Sequence, residues 1–190
     1  MRNLILCGVG GQGTVLASRL ISDAAMHRGI PVMSAETIGM AQRGGSVFSH
    51  VRLGEGLYSP MIAPGEADLI LGFEPGETVR MLPYLRRGGQ VVVSTLGVMP
   101  VTASLSSQAY RPEEMVDFLR SHVEHLCTVD AEKALRETGS PRVLNLILLG
   151  AALRAGALGL EEEDMVEAIC RRIPPKYQEM NIQALKWAKV

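Results

Sequence analysis

A glycine-rich turn near the start of the chain has the residue types and spacing that point most directly to chemistry. Residues 8 to 13 read GVGGQG, so the first, third and sixth positions fit the pattern G-x-G-x-x-G. The turn lies between a short apolar run and a helical pattern, which is the context in which this motif has physical meaning. Glycines let the backbone approach a ligand closely, and the free N–H groups of a helix N-terminus attract an anion. The candidate binding residues in this turn are Gly8, Gly10, Gly11, Gln12 and Gly13. The alternative is a tight strand–helix connection that binds nothing.

An acidic residue stands where a dinucleotide-binding fold uses one. Glu36 ends a second predicted strand, and it follows the turn by roughly 20 residues, which is the spacing that this fold uses. There a carboxylate binds the ribose hydroxyls of the nucleotide. Glu36 is therefore a candidate binding residue, and a stand-alone NAD- or FAD-dependent oxidoreductase is one hypothesis for the chain.

The segment after Glu36 departs from that pattern. Residues 37 to 45 read TIGMAQRGG, a glycine-rich loop where a nucleotide-binding fold would place a crossover helix. Arg43, followed by two glycines, can present a planar guanidinium to a carboxylate or phosphate. The candidate binding residues of this loop are Gln42, Arg43, Gly44 and Gly45. Two interpretations stay open and are compatible: contact with a ligand, and docking on a partner subunit or on the chain's own sheet.

Other constellations that carry chemistry are not recognisable in the sequence. His122 and His125 lie three apart on a predicted helix without a co-ligand pattern, and His50 lies within a predicted strand. The three cysteines, Cys7, Cys127 and Cys170, are far apart and form no CxxC. Because an iron–sulfur cluster usually takes four cysteines, we expect three reduced thiols, no cluster and no metal site in this chain.

Composition limits the class of protein. The chain has 190 residues, of which 47% are hydrophobic and 4% aromatic, so aliphatic side chains must supply most of a sizeable core. The formal net charge is -1, which argues against nucleic-acid binding, since that needs a basic patch. The longest charge-free stretch, residues 91 to 110, contains polar residues and a proline and is predicted to be a buried strand and loop, not a membrane span. Without a signal-peptide pattern, a cytoplasmic protein is expected.

Alternating strand and helix patterns must position these candidate residues. Short apolar runs predict strands at 3–8, 31–36, 67–73, 90–95 and 126–129, and amphipathic or capped segments predict helices at 14–28, 75–85, 111–123, 130–137, 141–155, 161–172 and 176–190. Residues 47–53 and 57–62 flank the turn 54–56 and predict a β-hairpin. The expected fold is a single α/β domain over residues 1–190. It is a Rossmann-like three-layer fold with a mixed, mainly parallel sheet that includes a β-hairpin.

One polar residue interrupts the most apolar of these helices. Asn145 lies within the segment 143–153, which is apolar on almost all sides and therefore predicted to be buried. A buried amide must find hydrogen-bond partners. Either it bonds a neighbouring backbone group or it serves a subunit contact or site.

Several phrases together resemble a known family. GVGGQGTVLAS at the start, SAETIGMAQRGGSVFSHVRLG followed by YSPMI, and then ADLILGFEP are similar to the gamma-type domain of the 2-oxoacid:ferredoxin oxidoreductases. GMAQRGG is especially typical of the small (beta) subunit of the indolepyruvate-oxidising members, and VLNLILLGAAL and MNIQAL extend the likeness to the C-terminal half. The resemblance covers most of the chain, although residues 183–188 are less typical of it.

The resemblance implies a function as part of a complex. Enzymes of this family convert a 2-oxoacid and coenzyme A to an acyl-CoA and carbon dioxide, and they pass electrons to ferredoxin. Thiamine diphosphate and iron–sulfur clusters belong to other domains or subunits. The resemblance therefore implies a large partner subunit, ferredoxin contact through the complex, and coenzyme A as co-substrate. For the isolated chain, we expect no activity and a homodimer. By resemblance, Arg43, Gly44 and Gly45 occupy the family's signature loop. The remaining alternatives are the NAD- or FAD-dependent enzyme and a binding module without a ligand.

Overall fold

The apolar runs form the strands of one sheet. The computed structural model describes residues 1–36, 44–99 and 110–187, and within these ranges the sheet has six strands. They are β1 (Arg2–Val9), β2 (Val32–Glu36), β3 (Ser46–Leu53), β4 (Ala67–Gly72), β5 (Leu85–Ser94) and β6 (His125–Val129).

The sheet is mixed and mainly parallel. Its strand order is β2-β3-β1-β4-β5-β6. β1, β4, β5 and β6 pair in parallel, whereas β3 is antiparallel to both of its neighbours, β1 and β2. All the described strands except β3 therefore point the same way, and their carboxyl ends lie along one edge of the sheet.

Helices cover both faces of the sheet. Those in the described ranges are α1 (Thr14–His27), α2 (Pro75–Met81), α3 (Pro112–His122), α4 (Ala131–Thr138), α5 (Leu144–Arg154), α6 (Glu162–Arg172) and α7 (Pro175–Trp187). Acidic side chains accept hydrogen bonds from the free N–H groups at several N-termini, as in the capping box of Glu161 and Asp164 that begins α6. Basic residues such as Arg171 and Arg172 end the same helix, where they complement its dipole.

The strands divide the core into two layers because successive side chains point to opposite faces. Leu4 and Leu6 of β1 pack on one face with α1, α4, α5, α6 and α7, and Ile5 and Cys7 pack on the other face with α2 and α3. The three-layer α/β fold expected from the sequence is confirmed.

The sheet contains a β-hairpin, as expected, but β2 and β3 form it, and the prediction of a second arm at residues 57–62 is wrong. The antiparallel neighbours along the chain are β2 and β3, whereas residues 57–62 form no strand. Both edges of β3 are already paired, so no ladder position is left for this segment. Side chains bind its backbone instead: Arg52 donates to the carbonyl oxygens of Ser59 and Met61, and Nδ1 of His50 accepts from the N–H of Ile62.

The helix predicted over 75–85 is shorter than expected. α2 ends at Met81 and continues only as a 3-10 turn, Leu82–Tyr84, because Pro83 has no N–H to extend the helical ladder. β5 consequently begins at Leu85, ahead of the predicted 90–95. No helix in the described part of the chain is both long and apolar enough to cross a bilayer.

Candidate functional site

The carboxyl ends of β1 and β4 lie side by side, at the point where the connections that follow the strands switch from one face of the sheet to the other. β1 leads into α1 on one face, and its neighbour β4 leads into α2 on the other. In open α/β sheets, ligands bind in the crevice at such a point. Three segments converge there: the turn 8–13, the turn 73–77 and residues 44–46 at the start of β3.

Gln12 holds the glycine turn in shape. Its Oε1 accepts from the N–H of Val9 at 2.7 Å, and its Nε2 donates to the carbonyl oxygen of Phe73 at 3.0 Å. This side chain therefore ties the ends of β1 and β4 together. Gly8 lies beneath it, and a Cβ there would stand 2.7 Å from Gln12 Oε1 and 2.8 Å from Phe73 Cβ. Only glycine fits this close approach.

The other glycines of the turn shape the start of α1. Gly11 and Gly13 have φ of +104° and +83°, a region that favours glycine. A Cβ on Gly11 would meet nothing within 4 Å, so the turn is open on this side. A Cβ on Gly13 would stand 2.9 Å from Nδ2 of Asn145, so the buried Asn145 amide lies directly against the turn.

The N-terminus of α1 can bind an anion. Gly13 is its N-cap residue, and no side chain caps it within the described residues. The N–H groups of its first turn therefore face the crevice without the usual acceptor. Two buried oxygens beside it, Thr14 Oγ1 and Asn145 Oδ1, also find no hydrogen-bond partner in the described ranges. An uncapped helix end beside unpaired buried polar atoms suits a ligand with anionic and hydrogen-bonding groups.

The loop predicted to bind ligand is partly brought to the turn. The N–H of Gly10 donates to the carbonyl oxygen of Gly45 at 2.8 Å, and Gly44 has φ of +75°. Both glycines thus adjoin the predicted turn site. Gln42 and Arg43 lie outside the described residues, and their roles stay predictions.

Glu36 is not brought to the turn. It ends β2, which is separated from β1 by β3. Its carboxylate accepts from Ser18 Oγ at 2.8 Å and lies 3.7 Å from a guanidinium nitrogen of Arg19. These contacts tie Glu36 to α1, so a ribose hydroxyl would have to compete with them. Its predicted ribose contact stays a prediction.

A buried acidic cluster borders the crevice on the side of α2. The Glu77 carboxylate accepts from Ser46 Oγ at 2.6 Å and lies 3.6 Å from Arg80. Glu74 Oε2 caps α2 by accepting from the N–H of Glu77, and its Oε1 accepts from the hydroxyl of Tyr110. Burial raises the pKa of Glu74, although the hydrogen bonds from Tyr110 and from backbone N–H groups oppose the shift. Burial and the adjacent Glu74 raise the pKa of Tyr110 as well. The cluster joins β3, α2 and the segment before α3.

Sequence reasoning missed most of this cluster. Glu74, Glu77 and Tyr110 belong to no short motif, and only the helix-start pattern around Pro75 marked the place. Asn145 stands out in the sequence as a polar residue in an apolar helix, but its contact with Gly13 joins segments that are distant in sequence.

The cysteines do not form a site. Cys7 is fully buried in β1, Cys127 is half-buried in β6, and Cys170 is exposed on α6. Burial raises the pKa of the Cys7 thiol, which opposes any role as a thiolate. Within the described ranges, no group of three or more histidine, cysteine or acidic side chains has the arrangement of a metal site. These residues do not fit an iron–sulfur cluster.

Comparisons with known proteins agree with the resemblance seen in the sequence. The family model described as pyruvate ferredoxin/flavodoxin oxidoreductase matches residues 3–189. A curated relative, indolepyruvate oxidoreductase subunit IorB of Thermococcus kodakarensis, is 36% identical over 189 residues, which are 97% of this chain and 92% of the relative.

Solved structures share the fold. Pyruvate oxidoreductase subunit PORC from Thermotoga maritima superposes with a TM-score of 0.72 at 19% identity, covering 98% of this chain and 93% of that one. The 2-oxoglutarate:ferredoxin oxidoreductase from Magnetococcus marinus, solved with 2-oxoglutarate, coenzyme A and succinyl-CoA bound, gives a TM-score of 0.73 at 18% identity. This chain covers 30% of that longer one, and 99% of this chain is covered. Together with the family match over nearly the whole sequence, these likenesses lead to one conclusion: the chain belongs to the pyruvate ferredoxin/flavodoxin oxidoreductase family.

Proposed function

We propose that this chain is the small, non-thiamine subunit of a 2-oxoacid:ferredoxin oxidoreductase whose oxoacid is indolepyruvate or another aryl-pyruvate. The complex converts the oxoacid and coenzyme A to an acyl-CoA and carbon dioxide and passes electrons to ferredoxin. The observation that carries the proposal is the 36% identity, over 97% of the chain, to a subunit named for indolepyruvate oxidation. We propose a cytoplasmic complex, and a homodimer for the isolated chain.

The chemistry at the oxo carbon belongs to a partner in this proposal. The described side chains do not fit a metal cluster, and the family resemblance implies that thiamine diphosphate and the iron–sulfur clusters belong to other domains or subunits. We therefore assign both to a large partner subunit. When bound there, thiamine diphosphate supplies the carbanion stabilisation that decarboxylation of a 2-oxoacid requires. The residues of this chain position the co-substrate and complete the complex.

The glycine turn is proposed to hold an anionic group of coenzyme A. The first-turn N–H groups of α1 and the Thr14 hydroxyl supply donors, and Asn145 Oδ1 supplies an acceptor for a ligand hydroxyl or amide. Gln12 keeps these groups in place by bridging β1 and β4. Because such donors need no rearrangement on binding, they orient the co-substrate at low entropic cost.

The loop ending in Gly45 is proposed to face the partner. The N–H of Gly10 donates to the carbonyl oxygen of Gly45, so the described end of this loop lies beside the proposed co-substrate site. Gln42 and Arg43 are proposed to bind a carboxylate or phosphate at this boundary, where a guanidinium forms paired hydrogen bonds.

The stand-alone NAD- or FAD-dependent enzyme is the less favoured alternative. Its acidic ribose ligand, Glu36, is already engaged by Ser18 and Arg19. The family match over residues 3–189 also favours a subunit of an oxoacid oxidoreductase.

Reconstitution tests the proposal. The purified chain alone should show no turnover, and oxidation of indolepyruvate should appear when the chain is combined with a thiamine- and cluster-bearing large subunit. Calorimetry with NAD and FAD serves as a parallel arm and should detect no binding. Unchanged activity of the large subunit with and without this chain would refute the proposed role, and micromolar NAD binding would restore the alternative.

A matched pair of glycine variants tests the turn. Gly11→Ala and Gly29→Ala each place a methyl group in open space at positive φ, so each is expected to lose about 1–2 kcal/mol of stability. Only Gly11 adjoins the proposed site, so Gly11→Ala in the assembled complex should raise the KM for coenzyme A about tenfold, the equivalent of one charge-assisted hydrogen bond. Gly29→Ala should leave that KM unchanged. Equal KM values for both variants would argue against ligand contact at the turn.

A further inference from the structure

We propose that a cavity beside the first turn of α1 binds a small organic anion with a flat apolar body. The cavity has a volume of about 490 Å³ and lies between α1, the turn 140–142 and the bend that joins α6 to α7. This site is distinct from the glycine turn and goes beyond the proposed function. Its volume falls within the range of about 300–1,000 Å³ typical of small-molecule sites.

Large apolar side chains form much of its wall. Leu16, Ile173, Tyr177 and Met180 all line the cavity. Leu16 and Tyr177 remain 36% and 39% exposed, although each side chain could bury more apolar surface against a bound group. A planar ring can pack on Tyr177, with ring geometry that favours offset or edge contacts.

The charged groups at the cavity are cationic. Arg142 and Arg172 line it, and no carboxylate does so among the described residues. Arg172 is already paired, because its Nε donates to one oxygen of Asp23, whose other oxygen accepts from Arg171 Nε at 2.7 Å.

Arg142, in contrast to Arg172, has an unpaired guanidinium among the described residues. Its backbone N–H is bound to Ser140 Oγ, but its side chain makes no hydrogen bond or ion pair within the ranges described. Arg142 is exposed and lines an apolar cavity, where its guanidinium can bind a carboxylate or phosphate through two parallel hydrogen bonds.

A lysine adds positive charge next to the cavity. The ammonium of Lys176 lies 4.7 Å from the centre of the ring of Tyr177, which lines the cavity. This charge favours a ligand with one negative group next to its apolar part.

The shared chemistry is a planar ring bearing an anionic group, and the anion can be a carboxylate or a phosphate. Two probes separate these sources: phenylacetate carries a carboxylate, and adenosine 5′-monophosphate carries a phosphate. Each is titrated into the full-length chain, and binding is followed by calorimetry and by NMR shifts of the Leu16 and Met180 methyl groups. Binding of one probe that shifts the Leu16 and Met180 methyl signals supports the site and identifies its anion, and such binding of both supports the shared chemistry. Binding without these shifts would contradict the site. Failure of both probes at millimolar concentration would overturn the proposal.

Charge variants locate the site. Arg142→Gln should weaken binding of the successful probe about tenfold to a hundredfold, as expected for losing a hydrogen bond to a charged group. Arg87→Gln, which removes an exposed guanidinium outside this cavity, is the control and should leave affinity unchanged. Gly11→Ala should also leave it unchanged, which separates this cavity from the glycine turn. Equal affinities of the Arg142→Gln variant and the unmodified chain would contradict the proposal, and circular dichroism verifies that both variants fold.

Discussion

At the scale of single residues, side chains satisfy backbone groups where the chain leaves regular structure. Gln12 binds the backbone at the ends of β1 and β4, and Arg52 and His50 bind the irregular segment 57–62. His50 is buried, and its Nδ1 accepts from the N–H of Ile62, so its proton is on Nε2 when the ring is neutral. Burial lowers the pKa of His50, so the ring stays neutral at neutral pH.

The lowered pKa of His50 predicts a pH-dependent stability. The usual pKa of a histidine is 6.5, and below this pH the unfolded chain binds a proton more readily than the folded one. The contribution of His50 to stability is therefore complete above pH 6.5 and is lost as the pH falls below it. The unmodified protein should therefore lose up to about 1.4 kcal/mol per pH unit in this window. His50→Asn keeps an acceptor for Ile62 but has no titrating ring, and it should lack this component.

Urea unfolding on both sides of the window, at about pH 7.5 and about pH 5.5, measures the difference. Because the other histidines are common to both proteins, their titration cancels in the comparison. An identical pH dependence of the two unfolding free energies would show that His50 does not titrate as described.

At the scale of elements, α5 is the central helix of one layer. Its residues 144–152 are all buried between the sheet and α7. Gly150 allows α7 to approach, since a Cβ at this position would stand 1.9 Å from the carbonyl oxygen of Leu185. The backbones of the two helices therefore touch at this position, and only glycine, which has no side chain beyond a hydrogen atom, fits the contact.

Gly150→Ala should destabilise the protein. In an open helix this change would stabilise by about 1 kcal/mol, but here the methyl group must push α7 away, and we expect a net loss of about 3 kcal/mol. The fluorescence of Trp187 should report the displacement, because it is the chain's one tryptophan and its Nε1 donates to Glu137 at 2.7 Å. An unchanged or raised melting temperature would contradict the close contact.

At the scale of the whole molecule, the three-layer fold keeps the three cysteine thiols apart. Cys7 lies in β1, Cys127 lies in β6, and Cys170 lies on α6. The same architecture gathers the glycine turn, the buried acids and the start of β3 at one edge of the sheet. This edge is where we propose that coenzyme A binds, and the chain's relatives are named as subunits of oxidoreductases.

The separation of the cysteines predicts that the full-length chain assembles no iron–sulfur cluster. Anaerobic incubation with iron and sulfide, followed by desalting, should leave no bound iron and no visible absorption, because a cluster needs about four thiolates in one place. The Cys127→Ser/Cys170→Ser variant should behave identically. If the unmodified chain bound iron stoichiometrically and the double variant did not, the assignment of the clusters to the partner would be wrong.

Local patterns in the sequence determined the class of fold and its main elements. Apolar runs of about six residues and capped amphipathic segments predicted most strands and helices, since periodicity and caps act over a few residues. The phrases around the glycine turn and GMAQRGG identified the family, which the match over residues 3–189 confirmed.

Only the tertiary structure decided which segments meet. The sequence could not show that β3 is paired on both edges, which leaves residues 57–62 without a ladder, or that Asn145 lies against Gly13. Contacts between segments far apart in the chain also form the cluster of Glu74, Glu77 and Tyr110. They also bring Arg142 to the cavity beside α1. The physical reason is that pairing, burial and charge balance arise between distant segments, whereas the sequence alone determined local geometry and the motifs that mark the family.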